Sequence, residues 1–305
     1  MAEKTFIKDF TKIPKDVKAS QKINRVSLTY SQGVIRTLKQ NKAAMISLGF
    51  ILFIVLVAIF GPIFLPNYQK TDLLHTLEAP GRQHWFGTDD LGRDVLTRLV
   101  RGTRTSLIIG FVAETINLVI GTIYGGIAGY LGGKADILMM RVIDVIVSIP
   151  QMIIMILLLT VFSGSVGTLL FALCLTGWTG LARLVRGQVL ALRENEYAMA
   201  AQVLGASKWK VLRTHLLPNT IGPILVNYTM SIPGAIGAEA YLSYLGLGIS
   251  IPEASWGNLL QLGSNQFPGS LWLFFTPAIV FALTMLAFNL FGDGLRDALD
   301  PQMRR

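Results

Sequence analysis

The chain has 305 residues, 52% hydrophobic and only 15% charged, whereas a soluble domain carries about a quarter charged residues; this composition suits lipid as solvent. The net charge of +9 would fit a nucleic-acid reader, but such proteins gather Lys and Arg on a soluble surface. Here they lie between long apolar blocks, as in the cytoplasmic loops of membrane proteins, so no nucleic acid is expected as a partner.

Residues 1–43 are polar and hold ten Lys or Arg. No short apolar stretch near the start resembles a cleavable signal, so the first span is expected to stay in the mature protein. A crossing needs about 20 mostly apolar residues. Residues 44–66 supply the first without a charge. A polar stretch, 67–104, follows, and 105–131 supplies the second with one charge, Glu114. The uncharged block 145–182 is too long for one crossing and contains the turn-like run 163–167, so it divides into spans at about 142–162 and 167–185. It also contains Cys174; as the single cysteine it excludes an intrachain disulfide and a cysteine-type metal cluster. The fifth span, 216–238, carries Pro218, Pro223 and Pro233, which a membrane helix tolerates when neighbours satisfy the freed carbonyls. The sixth is 271–292, and 293–305 forms a tail.

About six spans place both termini on one side of the membrane. Residues 1–43, 131–141, 183–215 and the tail hold 21 of the 27 Lys and Arg, which sets those segments in the cytoplasm. Arg93, Arg98, Arg101 and Arg104 dissent, on the outer face just before span two. Asp89, Asp90 and Asp94 offset part of that charge, and the Leu91, Val95, Leu99 spacing suggests an amphipathic helix lying at the interface.

No G-x-x-x-x-G-K-[ST] phosphate loop occurs; Gly133-Lys134 is followed by Ala135. His75, His84 and His215 are scattered, with no zinc or hydrolase spacing, and read as neighbours of solvent or headgroups. Neither a catalytic group, a resident cofactor nor a metal is therefore expected. Ionisable residues within spans are costly and often functional. Asp144 forms an ordinary i, i+3 pair with Arg141, Glu239 could reach headgroups or line a pore exit, and Glu114 is the deepest. Gly121, Gly125, Gly129 and Gly133 recur every fourth residue, a strip along which another backbone can pack closely.

The inward loop between spans four and five, 186–218, is the most informative stretch. Asn195 is a good N-cap, Gly205 a helix stop, Ser207 a second N-cap and Pro218 a second stop, so two short helices joined at a glycine are expected. Ala198, Ala201 and Gly205 share one side of the first helix, a smooth surface for another protein's groove. Trp209, Leu212 and Leu216 put an apolar stripe on the second.

At this loop the chain resembles the ABC-importer permeases, whose hallmark is Glu-Ala-Ala, three residues, Gly, nine residues, Ile, one residue, Leu-Pro. Ala200, Ala201, Gly205, Leu217 and Pro218 match; Met199 and His215 depart from it at the Glu and Ile positions. Phe86-Gly87-Thr88-Asp89-Asp90-Leu91-Gly92-Arg93-Asp94 looks like the signature of the dipeptide, oligopeptide and nickel permeases of the C type. The segments 242–248, Ser255-Trp256-Gly257 and 292–301 are similar to theirs as well, so the resemblance runs from about residue 36 to the end. It implies an all-α polytopic permease of the type I importer fold in a bacterial cytoplasmic membrane. It also implies a heterodimer with a second permease, two cytoplasmic ATPase subunits that bind ATP and Mg, and an extracytoplasmic peptide-binding protein. The loop residues Ala198, Ala200, Ala201, Gly205, Ala206, Ser207, Leu217 and Pro218 would then couple ATP hydrolysis to movement of the spans. A nickel or other non-peptide importer shares the signature. From other classes, a proton-coupled secondary transporter would depend strongly on Glu114, and a membrane scaffold would bind partners without flux.

Overall fold

A computed structural model describes residues 29–250 and 252–300. Most of the expected basic segment 1–43 and the last five residues of the tail therefore lie outside the described residues. Among those described the fold is helical, without a strand. Helix α1 (Tyr30–Gln40) opens with a capping box in which Gln32 accepts from the Thr29 amide at 3.0 Å. Asn41 then caps α2 (Lys42–Phe64) by accepting from Ala44 N at 3.1 Å. The segment 65–94 leads to α3 (Val95–Leu131), a single helix of 37 residues started by Asp94, which accepts from Thr97 N at 2.8 Å, and ended at Gly132 with φ +63°.

Helices α4 (Gly133–Val147) and α5 (Gln151–Val161) form a pair bent by 65°. The break falls at Pro150, which lacks a donor and disfavours helical geometry in the residue before it. Helices α6 (Val166–Thr176) and α7 (Trp178–Arg193) meet at Gly177, whose φ of −63° and ψ of −27° keep the path helical, so they form one span. The loop elements α8 (Glu196–Val203), α9 (Lys208–Val211), a π-helical turn (Leu212–Leu216) and α10 (Leu217–Asn219) lead into α11 (Ile221–Tyr244). The last two helices are α12 (Trp256–Asn265) and α13 (Leu271–Leu299).

Four helical stretches are long and apolar enough to cross a membrane: α2, α3, α6 with α7, and α13; the bent α4–α5 pair makes a fifth. The remaining expected crossing is α11. Its 24 residues reach about 36 Å at 1.5 Å per residue, but Asn227, Ser231 and Glu239, with two prolines and three glycines, make it less apolar than the rest. It lies between α3 and α13, an interior position that tolerates such residues.

Long α3 is the axis of the bundle, touching α2, α6, α7, α11 and α12. One core joins Ile51, Leu107, Ile236, Trp256 and Phe288 from five different helices. A second gathers Ile109, Met155, Leu169 and Leu242, and a third places Val185 and Val189 of α7 against Ala198, Leu212 and Leu216 of the loop.

Several expected boundaries shift. Residues 95–104 are not a separate interfacial helix but the first turns of α3, since Val95 and Leu99 are buried in the protein, not turned to headgroups. The 293–305 tail is helical as far as Leu299, continuous with α13. Residues 186–193 belong to α7, so the loop proper starts at 194. Pro218 does not stop a helix either: it sits at the start of α10, directly after the π turn. A wider π turn accommodates the hydrogen bond and the space that a proline takes from the preceding turn.

Candidate functional site

The 194–220 loop is built from sharp local signals. Helix α8 ends in a Schellman arrangement: Gly205 N donates to Gln202 O and Ala206 N to Ala201 O, both at 3.0 Å. That pair of bonds needs a left-handed residue after the cap, and Gly205 supplies it with φ +84°. Ser207 Oγ then accepts from Lys210 N at 3.4 Å, restarting the helix. Asn195 has the extended backbone of a cap but makes no side-chain capping bond.

The residues expected to couple the loop to the ATPases divide between buried and exposed positions. Ala198 is fully buried against α7, and Ala201, Ala206 and Leu217 pack at the edge of the same cluster. Ala200, Gly205, Ser207 and Pro218 remain exposed. Trp209 does not join Leu212 and Leu216 beneath the bundle: it is 58% exposed, and Val211 takes the buried place. Beside the exposed residues the loop turns outward an apolar ridge of Met199, Val203, Leu204 and Trp209, with Val203 and Leu204 each 87% exposed. The signal for it in the sequence is the adjacent apolar pair immediately before the glycine stop.

This ridge is held on a stiff support. A Cβ on Gly121 would meet the Trp178 carbonyl oxygen at 2.9 Å, one on Gly125 the Ala182 carbonyl carbon at 2.9 Å and one on Gly129 the Arg186 oxygen at 2.7 Å. The glycine strip is therefore the contact surface of α3 with α7 of the same chain, where backbones touch. Gly133 is not part of it: a Cβ there would meet nothing within 4 Å, and it starts α4 with φ +57°. At the lower end of the strip Arg193 Nη1 donates to Gly129 O at 3.1 Å, and Gln202 Nε2 reaches Tyr130 Oη at 3.4 Å.

The two candidate carboxylates differ in setting. Glu239 is fully buried, receiving Ser106 Oγ and Ser243 Oγ at 2.8 Å each, so it reaches neither headgroups nor a pore exit. Ser106 in turn accepts from Trp256 N at 3.2 Å, which joins α3, α11 and α12 at one carboxylate. Glu114 accepts from Asn117 Nδ2 at 3.2 Å and borders a cleft of about 90 Å³ shared with Asn227, Tyr228 and Ser231. Asp144 holds Arg141 at 3.6 Å, as expected, and Arg183 more closely at 2.9 Å.

On the opposite side of the bundle the signature segment 86–94 forms a tight knot. Asp89, completely buried, binds Arg93 at 2.7 Å and Arg98 at 3.5 Å and accepts from the Leu91 and Arg93 amides. Its arginines are thereby structural, buried with their carboxylate instead of lying at the interface. Gly87 takes φ +74° with the Trp272 indole nitrogen 2.7 Å from where a Cβ would stand. Two histidines have carboxylate partners where solvent was expected: His84 with Asp94 at 2.9 Å and His75 with Asp72 at 3.0 Å. The hydrogen bond that His75 donates to Asp72, and then the charges of Asp72 and Glu78, raise the His75 pKa; the same bond and the Leu74 amide lower that of Asp72. Among the described residues no cluster of His, Cys, Asp or Glu has the arrangement of a metal site.

Residues 121–305 match the family described as binding-protein-dependent transport system inner membrane component. Residues 29–80 match the N-terminal transmembrane domain of oligopeptide transport permease C. The chain is 47% identical over 285 residues to the dipeptide transport system permease protein DppC of Bacillus subtilis (strain 168), covering 93% of this chain and 89% of that protein. With the oligopeptide transport system permease protein OppC of the same organism identity is 44%, covering 94% of each. The OppC of Escherichia coli (strain K12) is 40% identical, covering 93% of this chain and 95% of that protein. Among solved structures, an inward-facing conformation of the MetNI methionine ABC transporter shares the fold with a TM-score of 0.53 at 20% identity, over 67% of this chain and 96% of that chain.

Proposed function

The chain belongs to the inner membrane components of binding-protein-dependent transport systems, on the oligopeptide permease C branch, and from that premise we propose that it imports peptides as one permease of an ATP-driven complex. The names of its dipeptide and oligopeptide relatives support that substrate class. The observation that carries the mechanism is the exposed pair Val203 and Leu204. Burying such a side chain is worth about 1.5–3 kcal/mol, which a partner's groove would recover. The chain has no phosphate loop of its own, so the partner on this ridge is an ATPase subunit.

In this reading two ATPase subunits drive the complex, a second permease completes the path, and an extracytoplasmic binding protein delivers the peptide. Both termini and the 194–218 loop face the cytoplasm, where Lys and Arg concentrate. ATPase closure displaces the ridge; Ala198 passes the displacement to α7, and the α3–α7 seam carries it into the bundle as a rigid body. ATP and Mg are bound by the partners, and the chain itself catalyses no reaction.

The test is uptake by the purified complex in vesicles, comparing di-, penta- and longer peptides with nickel while ATP hydrolysis is followed. ATP-dependent peptide uptake is expected. Nickel uptake without peptide uptake overturns the substrate class, and normal peptide uptake by Gly205→Trp overturns the role of the loop.

A further inference from the structure

Two ion pairs tie α4 to α7. Asp136, buried in the first turn of α4, accepts from both Nε and Nη2 of Arg186, the latter at 2.6 Å. Farther along α4, Asp144 accepts from Arg183 Nη2 at 2.9 Å. The order along the two helices is reversed, as in the rungs between antiparallel neighbours. Few other contacts join α4 to α7: Ile143 is buried, but Ile137, Leu138, Val142 and Val145 all turn outward. Charged residues at a membrane helix are costly, and apolar packing would hold two helices at lower cost. A bidentate arginine–carboxylate pair adds something that apolar packing lacks, a fixed relative orientation.

The positions of the two partners give that orientation a use. Helix α7 carries the loop, through Ala198 against Val185 and Val189. Helix α4 leads into the 65° bend of the third span. We propose that Asp136–Arg186 and Asp144–Arg183 are the linkage that transmits movement of the 194–218 loop to the bent span, so that these four are positioning residues for transport. The inference rests on the proposed role of the loop in an ATP-driven peptide importer.

The experiment uses the whole complex, with wild-type partner subunits, in vesicles, and reads peptide imported per ATP hydrolysed. Asp136→Asn and Arg186→Gln are expected to lower that ratio by about 2- to 30-fold, the range for changes along a coupling network, with ATP hydrolysis continuing. The exchange Asp136→Arg with Arg186→Asp is expected to restore at least half of it, which a merely space-filling role would not predict. Should the Asp136 and Arg186 variants fail to assemble, Asp144→Asn, at a half-exposed position, decides by the same ratio. Wild-type uptake accompanied by variants at the wild-type ratio overturns the linkage alone. A wild-type complex without ATP-dependent peptide uptake overturns the importer reading and the linkage with it.

Discussion

Gly125 of α3 lies against Ala182 of α7 so closely that a Cβ at Gly125 would stand 2.9 Å from both the Ala182 Cα and its carbonyl carbon. Backbone occupies that space and cannot swing aside as a side chain would. Gly125→Val is therefore expected to destabilise the chain by about 1–3 kcal/mol or to prevent insertion into a stable bundle, the range for overpacked cores. Gly187→Ala, inside α7 on its exposed side where an added Cβ meets nothing within 4 Å, serves as the control and is expected to keep or raise stability, by up to about 1 kcal/mol. Thermal unfolding of the two variants in detergent measures the difference.

Glu239 depends on hydroxyls from two helices. Ser106→Ala removes the donor held at 2.8 Å from its Oε2 and also the acceptor for the Trp256 amide. Leaving buried polar groups unpaired costs about 1–3 kcal/mol. The expected result is a lower unfolding temperature, with Ser106→Thr, which keeps the hydroxyl, falling between the alanine variant and wild type. Equal unfolding temperatures for wild type and Ser106→Ala would contradict the account.

Val203→Asp and Leu204→Asp test the ridge. Because both positions are 87% exposed, a charge there should change the stability of the chain alone by no more than about 0.5 kcal/mol. Within the complex the same charges would enter an apolar groove, and co-purification of the ATPase subunits is expected to fall by about tenfold or more, as for a centrally placed contact. Pull-down at matched expression levels reads the effect.

The Asp72–His75 pair gives a pH dependence with a definite sign. His75 titrates above its ordinary 6.5 and Asp72 below its ordinary 3.8. The contribution of His75 to the folded segment is complete below pH 6.5 and is lost as pH rises through its raised pKa. That of Asp72 is complete above pH 3.8 and is lost as pH falls through its lowered one. Nuclear magnetic resonance of the His75 ring should give a midpoint above 6.5 that returns toward 6.5 in Asp72→Asn. An unchanged midpoint in that variant would rule the pairing out.

Much of the bundle can be read from uncharged runs, because a helix such as α2 must satisfy its backbone internally and leave lipid only apolar side chains. Less legible were features that depend on which side of a helix meets its own chain. Four arginines before span two suggest an interface, yet Asp89 gives two of them a buried partner that only the folded knot brings into reach. Small residues on α8 are equally suited to an external groove and to the chain's own α7, and Ala198 goes inward while Val203 and Leu204 go outward. The glycine strip was readable as a close backbone contact, but its end was not: Gly133 continues the period of four, while Gly132 has already turned the chain.

The unbroken course of α3 sets a limit on how this chain can be altered. At 37 residues it extends about 55 Å, beyond the thickness of the hydrocarbon layer, and fixes the buried Asp89 knot at one end and the Arg193 anchor at the other. A single residue inserted near its middle would turn one end against the other by about 100°. The knot, the glycine seam and the loop support share one helical phase, so an insertion that keeps all three in register has to fall outside α3.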